Sequence, residues 1–350
     1  MRRSERELRR GWTTGACAAA AAAAAYEALL TGDFPDPVTI TLPGGQRPAF
    51  ALARETLGHG VASAAIVKDA GDDPDVTHGA LVQVIVRSRA DGGIRFRAGE
   101  GIGTVTLPGL ALAVGEPAIN PGPRQMLRDA IASVATAHGG SGNIDVEVAI
   151  PSGKKMAERT LNPRLGIRGG LSILGTTGIV VPFSCASWVA SIQRGIDVAR
   201  AAGLEHIAAA TGSTSANFVR ARYDLSEQAL VDMGDFAGGM LKYLRRNSVA
   251  RLTIVGGFAK MAKLANGELD LHSARSRIDM AWLASLSDNP QALATANSAN
   301  EALQLVGRPL ANRVAALARE VALGVAGDAV AIEVLICNRQ GELVGQCPAS

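Results

Sequence analysis

Apolar and polar positions change rhythm twice along the 350-residue chain. The first 30 residues pass from an arginine-rich leader through Gly-Trp-Thr-Thr-Gly into eight consecutive alanines, Ala18 to Ala25, before Tyr26, Leu29 and Leu30. Alanine gives up no side-chain rotamer freedom in a helix, and Thr13 or Thr14 offers a hydroxyl cap, so a capped, closely packed helix is predicted. Alternating, β-branched runs then predict strands at 37–42, 60–71, 80–88, 93–99 and 143–151. Helical spacing at 123–138, opened by Pro123, predicts a helix. Several neighbouring strands with few helices make this half α+β, with a mixed sheet.

From about residue 165 the pattern becomes strand, glycine loop, helix. Helices are expected at 184–203, 212–223, 235–247 and 256–267, strands at 206–211 and 249–255, mostly helix at 276–323 and a closing strand at 328–338. This alternation predicts an α/β domain with a largely parallel sheet. The length also suits two domains, taken as 1–175 and 176–350 with the boundary near 165–183.

Composition narrows the function classes. A chain 47% hydrophobic and 19% charged can bury a sizeable core, yet it has no apolar run long enough to span a bilayer. The leader-plus-alanine start lacks the strongly apolar segment of a secretion signal. A net charge of +3, with scattered basic residues, gives no nucleic-acid face. Cys17, Cys185, Cys337 and Cys347 are far apart, so they are expected to be buried free thiols in a cytoplasmic protein, with no metal site. A homodimer is compatible with the hydrophobic content.

Four stretches hold residues able to do chemistry. Val67–Gly79 crowds Lys68, Asp69, Asp72, Asp73, Asp75 and His78 into one loop. That is either a solvated acidic turn or a site where carboxylate repulsion lifts a pKa toward that of a general base. Gly101 and Gly103 resemble a phosphate loop without its lysine. In "PAINPGPR" the prolines stiffen the backbone while Asn120, otherwise a turn residue, and Arg124 stay available to a ligand. In 160–184, Arg164 and Arg168 suit carboxylates, Gly175, Thr176 and Thr177 suit an anion or ribose, and Ser184 suits a helix cap. The turns at Gly212 and at Gly256–Gly257 have the form of nucleotide-ligand turns at the ends of parallel strands. Lys260 and Lys263 beyond them suit a solvated helix face.

Taken in order, "GWTTGACAAAAAAAA", "KDAGDDPDVTHGA", "GEGIGTVTLPGL", "GEPAINPGPR", "NPRLGIRGGLSILGTTGIVVP" and "GFAKMAKLANGELDLHS" resemble the cobalt-precorrin-5B C(1)-methyltransferase family, CbiD. The likeness covers about residues 10–275; the remainder looks generic, and the departures, Trp12 and Leu171, are small. The resemblance implies methyl transfer from S-adenosyl-L-methionine to carbon 1 of a polycarboxylate cobalt-tetrapyrrole, with cobalt present only as part of the substrate. Asp69, Asp72, Asp75 and His78 would then be catalytic. Thr13, Thr14, Lys68, Asn120, Arg124, Arg164 and Arg168 would bind substrate. Gly101, Gly103, Gly175, Thr176, Thr177, Gly212, Gly256 and Gly257 would bind the donor. A non-catalytic tetrapyrrole carrier and a nucleotide-dependent phosphotransferase are the rival readings. The arginine-rich leader, residues 1–9, lies outside the resemblance and is expected to be poorly ordered and dispensable.

Overall fold

A computed structural model describes residues 8–293 and 296–349, so seven residues of the leader lie outside the described part. The chain divides into two compact units, residues 1–184 and 185–350.

In the first unit the alanine run forms α1 (Thr14–Thr31), started by Thr13 Oγ1 accepting from Ala16 N and ended by Gly32 in the left-handed region. Ala18 to Ala25 are all but inaccessible to solvent. A helix buried all round has no polar face, and methyl side chains let its neighbours come close on every side. One neighbour is α2 (Pro121–His138). A Cβ on Gly15 would come within 3.2 Å of Pro123, while at the far end the Tyr26 hydroxyl accepts from Gly142 N at 2.8 Å. The two helices therefore run parallel, with their amino ends side by side.

The other neighbour is a five-stranded sheet of β1 (Arg54–Gly58), β2 (Val61–Val67), β3 (Leu81–Ser88), β4 (Ile94–Ala98) and β5 (Ile144–Ala149), in the order β1-β2-β3-β5-β4. All pairs are antiparallel except β4 with β5. Alternation decides the faces: Ala62, Ala64, Val82, Val84, Val86, Val146 and Val148 are buried in the core shared with α1. The charged positions between them pair across strands instead, Arg87 with Glu147 at 2.8 Å and Arg95 with Asp145 at 2.7 Å. The short α3 (Gly153–Ala157) follows β5. Strand β1 is exposed throughout, and its polar sequence gave no strand signal.

The second unit holds α4 (Cys185–Ala201), β6 (His206–Ala210), α5 (Ser213–Tyr223), β7 (Leu230–Asp232), α6 (Ala237–Leu244), β8 (Arg251–Gly257) and α7 (Phe258–Ala265). It continues through α8 (Met280–Ser285), α9 (Pro290–Leu293), α10 (Ala299–Val306), α11 (Arg308–Ala326), β9 (Ala331–Cys337) and β10 (Leu343–Cys347). The sheet order is β7-β6-β8-β9-β10, parallel except for the last strand. Val219 of α5 packs on one face against Ala208, Val255 and Leu335. Ile192, Met240, Met261 and Val314, from α4, α6, α7 and α11, pack on the other against Ile207, Ile254 and Val334. This is a doubly wound layer whose order reverses at β6, since the next strand in the chain, β7, lies on one side and β8 on the other. A mixed α+β unit followed by a largely parallel α/β unit is what the hydrophobic patterning predicts. The closing strand, however, is β10, which the pattern did not show.

Candidate functional site

In the first unit the acidic loop joins β2 to β3, and each of its aspartates is held by protein donors. Asp69 accepts both Arg9 guanidinium nitrogens, at 2.5 and 2.8 Å, and Gly71 N at 2.9 Å. Those Arg9 hydrogen bonds pull its pKa down to about 2. Asp72 accepts Arg9 N at 2.7 Å, and Asp73 accepts Phe183 N at 2.9 Å. Asp75 takes the buried Lys68 ammonium at 2.5 Å and both the amide and hydroxyl of Thr77. Burial pushes the Asp75 carboxyl up, but Lys68 and Thr77 together bring it below the ordinary value.

These geometries correct three expectations. Carboxylate crowding does not raise Asp69 or Asp75 toward a base, because a cation or hydroxyl donor lies nearer than any second carboxylate. Lys68 is 2% exposed and bound inside the loop, donating to Asp75 and Thr77, so it is not a rim donor for substrate. Arg9, within the leader expected to be poorly ordered, is tied to Asp69 and Asp72. His78 and Asp72 are exposed, and His78 Nδ1 accepts from Ala70 N at 3.1 Å.

Several predicted positions do come together at the paired amino ends of α1 and α2. A Cβ on Gly175 would stand 3.1 Å from Thr13 Cγ2, and one on Gly122 would stand 2.7 Å from Gly175 O. Asn120 Nδ2 donates to Ile173 O at 3.0 Å, fixing the strand that leads into Gly175–Thr177. Thr14 is buried at the helix start, whereas Thr176 and Thr177 are exposed. Arg124 is spent locally, on Ile119 O, Pro117 O and Glu116. The side chains of Arg164 and Arg168 form no hydrogen bond or ion pair among the described residues; Arg168 is exposed and Arg164 partly so.

Gly101 and Gly103 have a different reason to be glycine. Gly101 has φ +73°, and its missing side chain would strike Ile150 O and Gly153; that of Gly103 would strike Ile167 and Gly170 O. Protein backbone fills the space expected for a donor, so these two residues serve a chain crossing.

In the second unit the turns after β6 and β8 open on a cleft of about 1110 Å³. It lies outside the carboxyl ends of the strands, at the point where the order reverses, which is where ligands bind in open α/β sheets. Gly212 and Gly257 line it with nothing within 4 Å of where a Cβ would be. Gly256 instead lets β8 approach β6, since a Cβ there would stand 2.7 Å from Thr211 Oγ1.

Sequence reasoning missed most of the charged groups on this edge. Lys260 is no solvated helix residue: its Nζ donates to Thr211 O at 3.0 Å and pairs with Asp235 at 2.9 Å. Lys263 is buried and donates to Leu271 O. Arg308, the first residue of α11, and Arg339, in the hairpin between β9 and β10, also line the cleft. No local motif marks either arginine; only the strand order brings them together. Asp232 ends β7 and Asp235 follows it, on the other side of β6, and the Trp188 Nε1 donates to Asp232 O at 3.3 Å. Among the described residues no cluster could hold a metal ion, and no helix is long and apolar enough to cross a membrane.

Residues 1–182 match the CbiD family model, and residues 270–348 match the model of the CbiD C-terminal domain, including the stretch that looked generic. A cobalt-precorrin-5B C(1)-methyltransferase from Bradyrhizobium sp. is 58% identical over 98% of this chain and 94% of its own. Another, from Paramagnetospirillum magneticum, is 56% identical over 97% of this chain and 98% of its own. A crystal structure of a cobalamin biosynthesis protein (cbiD) from Archaeoglobus fulgidus is 26% identical, covering 77% of this chain and 83% of that one, with a TM-score of 0.42. With one family model spanning more than half of it and relatives aligned along nearly its whole length, the chain belongs to the CbiD family.

Proposed function

We propose that the chain is a cobalt-precorrin-5B C(1)-methyltransferase, moving a methyl group from S-adenosyl-L-methionine to carbon 1 of the cobalt-tetrapyrrole to give cobalt-precorrin-6A. The observation that carries this reading is the end-to-end identity of 56–58% with relatives of that name. The switch-point cleft supports it independently, because a two-substrate transfer needs a crevice in which backbone can approach a nucleoside.

The donor supplies a methyl group on a sulfonium cation. The open face of Gly212, at the β6 end of the cleft, suits an adenosyl group that needs close backbone approach, and Asp232, at the end of β7, suits its cationic centre. No general base is needed to form a carbon–carbon bond by displacement at a methyl group. The chain's task is to bring the two substrates into line and keep them there, which can supply ~7–11 kcal/mol of the barrier. Cobalt enters with the substrate.

The test is to incubate the purified chain with cobalt-precorrin-5B and methyl-labelled S-adenosylmethionine. One labelled methyl should appear on the macrocycle. Corrinoid binding without label transfer would favour a carrier, and ATP binding in place of S-adenosylhomocysteine would favour a phosphotransferase. Either outcome would end the methyltransferase reading.

A further inference from the structure

We infer that the cleft of the second unit is the seat of the tetrapyrrole's carboxylate arms, gripped by Arg308 and Arg339, and that the donor's sulfonium stays outside it on the β6–β7 side. The inference rests on the proposed function only for the identity of the polyanion.

Charge is the first reason. The residues lining the cleft include Lys260, Arg308 and Arg339 and no aspartate or glutamate. Lys260 is compensated by Asp235. Arg308 uses one guanidinium nitrogen on Leu343 O at 2.9 Å, leaving the rest of its fork, and Arg339 forms no hydrogen bond or ion pair among the described residues. Two largely uncommitted guanidinium groups in one concavity match carboxylates in pairs. A sulfonium placed there would meet like charge on one side and no counter-charge among the lining residues.

Size is the second reason. At about 1110 Å³ the cleft exceeds the ~300–1,000 Å³ typical of small-molecule pockets, more room than one nucleoside needs.

The surroundings are the third. The amino ends of α5 and α7, capped by Gly212 and Gly257, border the cleft, and Ser213, Thr214 and Asn338 add neutral donors. Of the carboxylates of this edge, Asp232 ends β7 and Asp235 follows it, across β6 from β8. The edge is thus divided by charge: the largely uncommitted cations stand beyond β8 and β9 and the carboxylates at the end of β7 and beyond it, with the Lys260–Asp235 pair between them. A methyl transfer between a cationic donor and a polyanionic acceptor needs this division, with the two sites touching at β6.

The test titrates full-length wild type, Arg339→Gln and Arg308→Gln/Arg339→Gln with three probes: cobyrinic acid, whose arms are carboxylates; cobinamide, whose arms are amides; and S-adenosylhomocysteine. Arg339 is an exposed hairpin residue, so its variant should keep the wild-type melting temperature. Cobyrinic acid affinity should fall about ten-fold in the single variant, the effect of one charge-assisted hydrogen bond, and further in the double variant. Its salt dependence should weaken in parallel. Cobinamide and S-adenosylhomocysteine should bind all three proteins alike. Unchanged cobyrinic acid binding would overturn the inference. A loss confined to S-adenosylhomocysteine would also overturn it, showing that the donor's own carboxylate occupies the cleft. Methyl transfer is measured separately on the wild type. If transfer is absent while the charge-selective titration holds, the proposed function falls and the anion site stands.

Discussion

Replacing Asp75 with asparagine should destabilise the first unit. Lys68 is 2% exposed and its ammonium has two partners, the Asp75 carboxylate and the Thr77 hydroxyl, both at 2.5 Å. Thr77 in turn donates its amide and hydroxyl to Asp75, at 2.7 and 2.6 Å. An asparagine keeps one acceptor oxygen but must aim its NH2 either at the lysine or at the threonine donors, and the buried cation loses its counter-charge. Breaking a buried pair from one side costs about 3–5 kcal/mol. The Asp75 side chain is 24% exposed, so water recovers part of that, and ~2–3 kcal/mol is the expected loss. At roughly 2–4 °C per kcal/mol for a unit of this size, melting should fall by ~4–12 °C. Scanning calorimetry reads the loss, and hydrogen exchange at the amides of β2 and β3 assigns it to the first unit. The pH dependence has a definite sign. Folding depresses the Asp75 pKa below 3.8, so its contribution is present above that pH and is lost as pH falls through the folded value. The gap between wild type and variant should therefore close in acid. A variant that melts within about a degree of wild type at pH 7 would refute the buried-pair account and return the loop to the catalytic reading, in which turnover alone suffers.

Three further outcomes follow from packing and space. Ala21→Leu should cost at least ~1–3 kcal/mol, measured by urea denaturation, because the Ala21 methyl is fully buried within a helix that is closely packed on every side. Gly101→Ala should lower stability with no selective effect on donor affinity, since φ is +73° and the Cβ would strike the Ile150 carbonyl; calorimetry beside S-adenosylhomocysteine titration separates the two. Gly212→Thr should do the opposite. Gly212 is extended (φ 167°), nothing lies within 4 Å of its would-be Cβ, and threonine caps helices about as well as glycine, so melting should hold while S-adenosylhomocysteine binding weakens.

How far the sequence alone could go depended on the range of the interaction in question. The alanine helix, its Thr13 cap and the inward-facing valines of β3 follow from periodicity and local capping chemistry, so they were legible. Strand β1 was not, because an exposed edge strand needs no apolar alternation, and neither was β10, which pairs only once β9 is in place. The acidic loop misled for a physical reason. Composition shows four aspartates close together, but not that Arg9, sixty residues earlier, and Lys68, from below, would neutralise two of them. The glycines divide in the same way. The sequence marks Gly101, Gly103, Gly212 and Gly257 alike, and only three-dimensional neighbours show that backbone fills the space beside the first two and nothing occupies it beside the last two.

The cleft residues show most clearly what strand order adds. Arg308 and Arg339 stand at the start of a helix and in a hairpin, and neither belongs to a motif. What unites them is that β9 follows β8 in the sheet, so the chain segments leaving both strands open on the same edge. Asp235 follows β7, on the far side of β6 from that edge, and its pairing with Lys260 spans the ends of the strands between the two halves. A parallel layer in this order places Arg308 and Arg339 on one side and Asp232 on the other by strand position, with the Lys260–Asp235 pair at the boundary. Reversing the sign at one end should therefore act locally. Arg339→Glu should repel a carboxylate-bearing corrin more strongly than Arg339→Gln does, yet leave donor affinity near its wild-type value, because the cation-accepting residues lie beyond β6. If the glutamate instead tightened donor binding, the two sites would overlap, and the division of this edge by charge would be wrong.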